Sequence, residues 1–230
     1  MEGLTTITFF KFRKNKAWAF AQMGLVPSKL EQNDGLKFFK LMGTGGGNGF
    51  SLWPDFTTYA FLGVWENEKS ADDFLNHNDI IKNYFKKSAS YRTIKMMSVK
   101  SHGLWSGQNP FPEHEFRKVD SELPVAVITR ATLRPSRLLN FWKSVPTASA
   151  AIEKAQGVRY FKGIGEWPFV QQATLSLWDS FEAVKQFAYR DQNHAAIIKK
   201  TRSQNWYSED LFARFQVLSD TGFIKPPSIK

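Results

Sequence analysis

One segment of this 230-residue chain occurs twice, and this duplication limits the folds open to the chain more than any other feature. Each copy carries a short glycine-bounded segment rich in aromatic residues, then a tryptophan, then a motif that begins Asn-His. The matching parts lie in the same order: residues 35–43 with 157–165, Trp65 with Trp178, and residues 76–82 with 193–199. Self-similarity on this scale indicates one structural unit that is written twice and packs on its own copy.

Hydrophobic periodicity predicts the same order of elements in both copies. In the first copy, strands are predicted over residues 5–12, 36–42, 58–65 and 93–100, with helices near 16–31 and 68–90. In the second, strands are predicted near 125–133, 158–164, 171–178 and 211–218, with helices near 136–155 and 180–206. The order β-α-β-β-α-β is the ferredoxin-like pattern. We therefore predict an α+β fold in which two tandem ferredoxin-like repeats, with their sheets face to face, form a barrel of the dimeric α+β type.

Prolines mark the boundary between the two copies. Pro110, Pro112 and Pro124 fall in a segment without a periodic pattern, which is typical of a linker. The predicted organisation is an N-terminal repeat, a linker, a C-terminal repeat with the pocket, and a tail: residues 1–105, 106–124, 125–220 and 221–230.

Composition excludes several classes of site. The chain has no cysteine, which excludes disulfides, iron–sulfur clusters and thiolate-bound metals. The net charge of +10 is spread over both halves among acidic residues, so we predict a solvated basic surface and no nucleic-acid binding; an acidic protein or a membrane face is the next interpretation. The start of the chain lacks the pattern of a signal peptide, and we expect a cytoplasmic protein that contacts a membrane only peripherally. The 21 Phe and 8 Trp indicate a large apolar interior or pocket.

Alternation within the strands of the second copy separates an apolar set of residues from a polar one. A polar face on a sheet that is covered on both sides needs a cavity, a ligand or water; strand ends in solvent are the alternative explanation. If the chain has a site, the second copy is therefore predicted to hold it. The polar set comprises Arg130, Thr132, Arg134, Gln172, Thr174, Ser176, Arg214 and Gln216.

His194 is the histidine best placed to act as a ligand. It begins a predicted helical segment and shares a face with Ile197, Ile198 and Thr201, so we expect it to point inward. A helix N-terminus favours the neutral imidazole, which can donate its lone pair to iron. A cap or surface role is the alternative, because His77 occupies the equivalent place in the first copy.

Eight stretches, which cover nearly the whole chain in order, carry a resemblance to a known family: residues 18–24, 39–45, 105–107, 129–134, 141–142, 145–146, 163–166 and 206–215. At these stretches the sequence resembles the spheroidene monooxygenase family, the carotenoid oxygenases of acyclic carotenoid biosynthesis. The resemblance implies a haem-dependent monooxygenase that uses dioxygen and electrons from a ferredoxin to introduce hydroxyl and keto groups into an acyclic carotenoid.

The resemblance also implies a fold related to the barrels of chlorite dismutases, dye-decolorising peroxidases and aldoxime dehydratases, with haem in the C-terminal repeat. Carried over, this arrangement makes His194 the ligand of the haem iron and places Arg130 or Arg214 on the distal side as the catalytic cation. Lys162 and Trp206 are further candidates for the haem pocket.

The partners expected from this resemblance are an apolar, carotenoid-like substrate, a ferredoxin-type electron donor, a membrane surface and a second copy of the chain. Two other functions remain open from the sequence. One is a haem lyase of the aldoxime dehydratase type, and the other is a non-catalytic protein that binds haem or another apolar ligand.

Overall fold

A computed structural model describes residues 2–47, 53–111, 123–190 and 205–222. The strands are β1 (Glu2–Lys11), β2 (Leu36–Gly45), β3 (Pro54–Asn67), β4 (Ser90–Gly103), β5 (Val125–Leu133), β6 (Val158–Gly165), β7 (Gln171–Trp178) and β8 (Tyr207–Gly222). The helices are α1 (Lys16–Leu25), α2 (Pro27–Leu30), α3 (Glu68–His77), α4 (Asp79–Lys87), α5 (Leu138–Glu153) and α6 (Phe181–Arg190).

The strands close into one antiparallel barrel in the order β1-β3-β2-β6-β7-β5-β8-β4. The first half of the chain contributes β4-β1-β3-β2 and the second half contributes β8-β5-β7-β6. Pairing of β2 with β6, and of β4 with β8, joins the two halves. The predicted α+β class is thereby confirmed, and the barrel consists of a single closed sheet.

Local capping explains where the helices differ from their predicted bounds. The helix predicted over residues 68–90 is two helices, because the side chain of Asn78 accepts the backbone N–H groups of Ile80 and Ile81 and so begins α4. Pro27 similarly begins α2 after α1 has ended. The helix predicted to reach residue 206 is also wrong at its end, because Trp206 directly precedes β8.

Apolar side chains fill the barrel and cover its outside. The interior cluster includes Phe9, Met42, Ile128 and Phe215, all buried. On the outside of the first half, α1, α3 and α4 pack on the sheet in a second cluster that includes Phe61. Among the described residues, none of the helices combines the length and the apolar character that a membrane crossing requires.

Candidate functional site

The pairing register separates Arg130 from Arg214. Directly paired residues of neighbouring strands point to the same face of a sheet. Arg130 is paired with Ala173 and Leu211, which lie in the barrel interior, whereas Arg214 is paired with Val127 on the outside. The prediction that one polar face holds both arginines is therefore wrong. The error arises because even-numbered residues of β5 lie opposite odd-numbered residues of β7 and β8.

Arg130 belongs to a network at one end of the barrel. Its side chain is 2% exposed, forms an ion pair with Glu209 and lies over the ring of Trp105, with Cζ 5.8 Å from the ring centroid. Glu209 also accepts the backbone N–H groups of Ser106 at 3.1 Å and Gly107 at 2.8 Å. Burial raises the pKa of Glu209, but these hydrogen bonds and the charge of Arg130 outweigh it and lower the pKa overall.

The neighbouring contacts extend this network. Trp105 donates its indole N–H to Glu166 at 2.7 Å, and the Nζ atom of Lys40 lies 2.6 Å from a Glu166 oxygen. Lys40 also donates to the hydroxyl of Ser106 at 2.8 Å. The Trp-Ser-Gly motif at residues 105–107 thus ties β2, the loop after β4 and the end of β6 together, which accounts for Arg130 as part of the barrel's structure.

Lys162 lies at the seam between the two halves, near the opposite end of the barrel. It is paired with Leu175 of the interior, and its Nζ atom donates to the carbonyl of Gly47 at 2.8 Å. The nearest carboxylate is Asp55, at 3.9 Å. Burial lowers the pKa of Lys162. Lys162 therefore does not share the outer face on which Arg214 lies.

The outer face of the second half contains a row of one residue from each strand, which we call the outer row: Gly163, Thr174, Thr129 and Phe212. The residues on β6, β7 and β5 are small or polar, and Phe212 on β8 is the large apolar member. Thr129 lies in the middle of β5, between β7 and β8, and is nevertheless exposed. Thr174 is 7% exposed, and its hydroxyl has no hydrogen-bond partner among the described residues. An unpartnered polar atom beside an exposed central strand is typical of a binding site.

The first half has large apolar side chains at two positions of the corresponding row. Trp65 is paired with Leu4 as Trp178 is paired with Val125, which sets the correspondence between the halves. On this register, Leu41 and Phe61 stand where the second half has Gly163 and Thr174. Phe61 is 0% exposed and stacks on Phe74 of α3 with ring centroids 5.5 Å apart. On β6 and β7 the outer row thus lacks the side-chain volume that packs α3 onto the first half.

Apolar clusters border the outer row on two sides. Toward α6, Trp178 packs on Phe187 with centroids 5.2 Å apart, and Val127 joins the same cluster. Toward α5, Trp206 is fully buried with Phe141 and its neighbours. Trp206, predicted as a pocket residue, is therefore part of an apolar cluster beside the row.

Arg214 and Gln216 supply further polar atoms on this face. The guanidinium carbon of Arg214 lies 5.2 Å from the ring of Phe212, and its Nε atom is buried without a partner among the described residues. Gln216 donates to the carbonyls of Leu123 and Pro124, each at 3.1 Å, while its Oε1 atom has no partner in the described parts of the chain. Together with Thr174, these side chains place a cation, a hydroxyl and an amide oxygen on the same face of the second half.

His194 lies in residues 191–204, outside the described residues, so its ligand role stays a prediction. Its counterpart His77 is described: it is exposed at the end of α3, with Nδ1 3.2 Å from the carbonyl oxygen of Asp73.

Sequence reasoning missed Gly163, Thr129 and Phe212. The signal for the first was present, because the matched segments align Leu41 with Gly163. A change from a large to a small residue between two copies of one unit marks a place where one copy is packed and the other is not. Thr129 and Phe212 became assignable only once the strand register was known.

The fold and the outer row define an α+β barrel with a candidate ligand-binding face on its second half. No family model matches the chain. It is 33% identical over 217 residues to spheroidene monooxygenase of Rubrivivax gelatinosus, covering 91% of this chain and 80% of that protein. It is 29% identical over 221 residues to spheroidene monooxygenase of Rhodobacter capsulatus, covering 95% and 92%. The chain belongs to the spheroidene monooxygenase family.

A solved structure supports the fold. The aldoxime dehydratase OxdRE, in complex with butyraldoxime, matches with a TM-score of 0.60 over 98% of this chain and 84% of that one. The two sequences are 10% identical, so the likeness concerns the fold alone.

Proposed function

We propose that this protein is a haem-dependent monooxygenase that introduces hydroxyl and keto groups into an acyclic carotenoid, and that the haem binds over the outer row. Membership of the spheroidene monooxygenase family supports the reaction class. One observation carries the position of the site: Gly163 and Thr174 stand where the first half of the barrel has Leu41 and Phe61.

The residues of this face fit a haem in their chemistry. A flat macrocycle needs a surface with few projecting side chains, and Gly163 has none. It also needs apolar borders, which the clusters around Trp178 and Trp206 offer. The positive charge of Arg214 would suit a haem propionate or negative charge that develops during the reaction, and its Nε atom lacks a partner among the described residues.

His194 is the residue that would bind the haem iron. Helix α6 packs on the outer face through Val184 and Phe187 and ends at Arg190, shortly before His194 in the sequence. The neutral imidazole is the usual iron ligand of this residue type.

When bound, the haem would supply activation of dioxygen, with electrons from a ferredoxin-type donor. The side chains of the protein would do the rest. Arg214 holds a positive charge that is only half-buried, and the Thr174 hydroxyl can hold or pass a proton at Oγ1. Phe141, Trp142 and Val145 form an apolar cluster beside the row, which suits a long polyene and excludes water from it.

We also infer that the halves are tandem ferredoxin-like repeats. Each half contains the strand order fourth-first-third-second, β4-β1-β3-β2 and β8-β5-β7-β6. Each half also carries its helices between the first and second strands and between the third and fourth.

An absorption spectrum of the purified protein supplied with haem tests the proposal. We expect a Soret band typical of histidine-ligated iron, which His194→Ala abolishes and His77→Ala leaves unchanged. Products formed from an acyclic carotenoid should require both dioxygen and a reductant; turnover without a reductant would instead indicate a lyase. Normal haem spectra in both variants would overturn the assignment of His194, and haem binding without any turnover would favour a non-catalytic role.

A further inference from the structure

Helix α1 is apolar on both faces although only one face is buried. Its inner side contributes the buried Ala19, with Trp18 and Met23 partly buried in the cluster on the first half. A helix on the surface of a globular protein normally has a polar outer face, and one that is apolar all round is normally covered on all sides. The exposed residues of α1 are Lys16, Ala17, Phe20, Ala21, Gly24 and Leu25.

The exposed apolar residues form one continuous surface, which we call the α1 patch: Ala17, Phe20, Ala21, Gly24, Leu25 and Phe56. The helical residues follow a spacing of three and four, so they lie along one side of α1. Phe20 and Leu25 are 60% and 61% exposed. Phe56 of β3 is 55% exposed, and its ring centroid lies 6.1 Å from that of Phe20, which widens the patch beyond the helix.

Cations surround the α1 patch. Arg13, Lys14 and Lys16 are exposed between β1 and the first turn of α1, and Lys86 and Lys87 end α4. The loop and α4 are joined, because Asn15 donates to the carbonyl of Lys87 at 3.4 Å. Within the described parts of the chain, none of these five cations forms a salt bridge with an acidic side chain.

We infer that the α1 patch docks on an anionic lipid bilayer, with Phe20, Leu25 and Phe56 entering the interface and the cations facing the headgroups. A helix with aromatic and aliphatic side chains on one face and Lys and Arg around it is typical of interfacial membrane binding. Basic clusters beside such a helix add attraction to anionic lipids.

The charge of the surface argues against a second copy of the chain as the occupant. A second copy seated on the same patch would bring two lysine-rich surfaces together, which opposes association. This inference goes beyond the proposed function and does not depend on which reaction the outer row supports.

Co-sedimentation with vesicles tests the inference. The full chain should bind vesicles of phosphatidylcholine mixed with phosphatidylglycerol, bind phosphatidylcholine alone much more weakly, and dissociate as salt is raised. Phe20→Ser combined with Leu25→Ser should weaken binding at least about tenfold, because less apolar area enters the bilayer. Lys14→Glu combined with Lys16→Glu should weaken it by a similar factor of about ten through lost attraction.

Matched variants on the second half of the barrel serve as controls. The apolar control is Leu139→Ser, at a residue of α5 that is 78% exposed. The charge control combines Lys143→Glu with Lys154→Glu, which changes the net charge by the same amount as the patch variant. These variants should bind vesicles as the natural chain does. The inference fails if the natural chain does not bind anionic vesicles, or if the controls lose as much binding as the patch variants. A dimer in solution that Phe20→Ser dissociates would also overturn it and identify a second copy as the occupant.

Discussion

Thr174 occupies in the second half of the barrel the place that Phe61 fills in the first. Thr174 is paired with Thr129, and Phe61 is paired with Thr8. Thr129 and Thr8 are themselves equivalent positions of the two halves. In the first half Thr8 is fully buried and its hydroxyl contacts Thr93 at 3.0 Å, whereas Thr129 is exposed. At this position a helix packs on the first half, whereas the second half has the proposed binding face.

Thr174→Phe should fill the outer row and exclude the ligand. Because Phe61 packs against a helix at the equivalent position, the variant should still fold, with a somewhat lower thermal stability because Thr174 is 7% exposed and the larger ring overpacks its surroundings. Haem occupancy, measured from the Soret absorbance per folded protein, should fall at least about tenfold because the ring takes the place of the ligand. Thr174→Val keeps the volume and should retain haem; equal occupancy in the Phe variant would contradict the location of the site.

Phe61→Ala should affect stability instead. The side chain is 0% exposed and contacts Trp65 and Phe74, so its removal leaves a cavity in the first half. The free energy of unfolding should fall by about 3–5 kcal/mol, measured by urea denaturation. The haem spectrum of the protein that remains folded should be unchanged, and a changed spectrum would show that the first half shares the site.

Arg214→Leu should lower carotenoid turnover at least about tenfold, because the variant lacks the cation on the outer face. Arg134→Leu is the control, since Arg134 is exposed and its Nε donates to the carbonyl of Tyr207, away from the outer row. Turnover per haem should separate the two variants. Equal rates would assign Arg214 to packing over Phe212 alone.

Glu209→Gln should destabilise the protein most at neutral pH. The lowered pKa of Glu209 means that its charged form stabilises the fold above the ordinary carboxyl value of 4.5, and that this contribution disappears as the pH falls through the lower folded value. We expect a loss of about 2 kcal/mol at neutral pH, because Arg130 loses its charged partner. The difference from the natural chain should shrink below pH 4.5, followed by thermal denaturation across pH. A difference that does not change with pH would show that the charge of Glu209 is not responsible.

The sequence was sufficient for the order of elements, because that order depends on local periodicity and on comparison of the two copies. The assignment of the site to the second half stays a prediction. The sequence was not sufficient for the faces. Arg130 and Arg214 both have even numbers, but the antiparallel register of β5 and β8 puts them on opposite faces of the sheet. The outward side of α1 was equally out of reach, because an apolar residue such as Phe20 looks like a core residue until the packing of its helix is known.

The two strand pairings that join the halves and close the barrel differ in length. Strands β4 and β8 are paired from Arg92 with Gly222 to Gly103 with Leu211, whereas in the described residues β2 and β6 are paired at Gly43 with Gly165 and Thr44 with Ile164. Thermal fluctuations should therefore separate the halves first along β2 and β6, while the longer pairing of β4 with β8 acts as the hinge. Of the two pairings, the one between β2 and β6 should show the faster amide deuterium exchange. A bulky substrate that enters over β6 would therefore meet the side of the barrel that opens more easily.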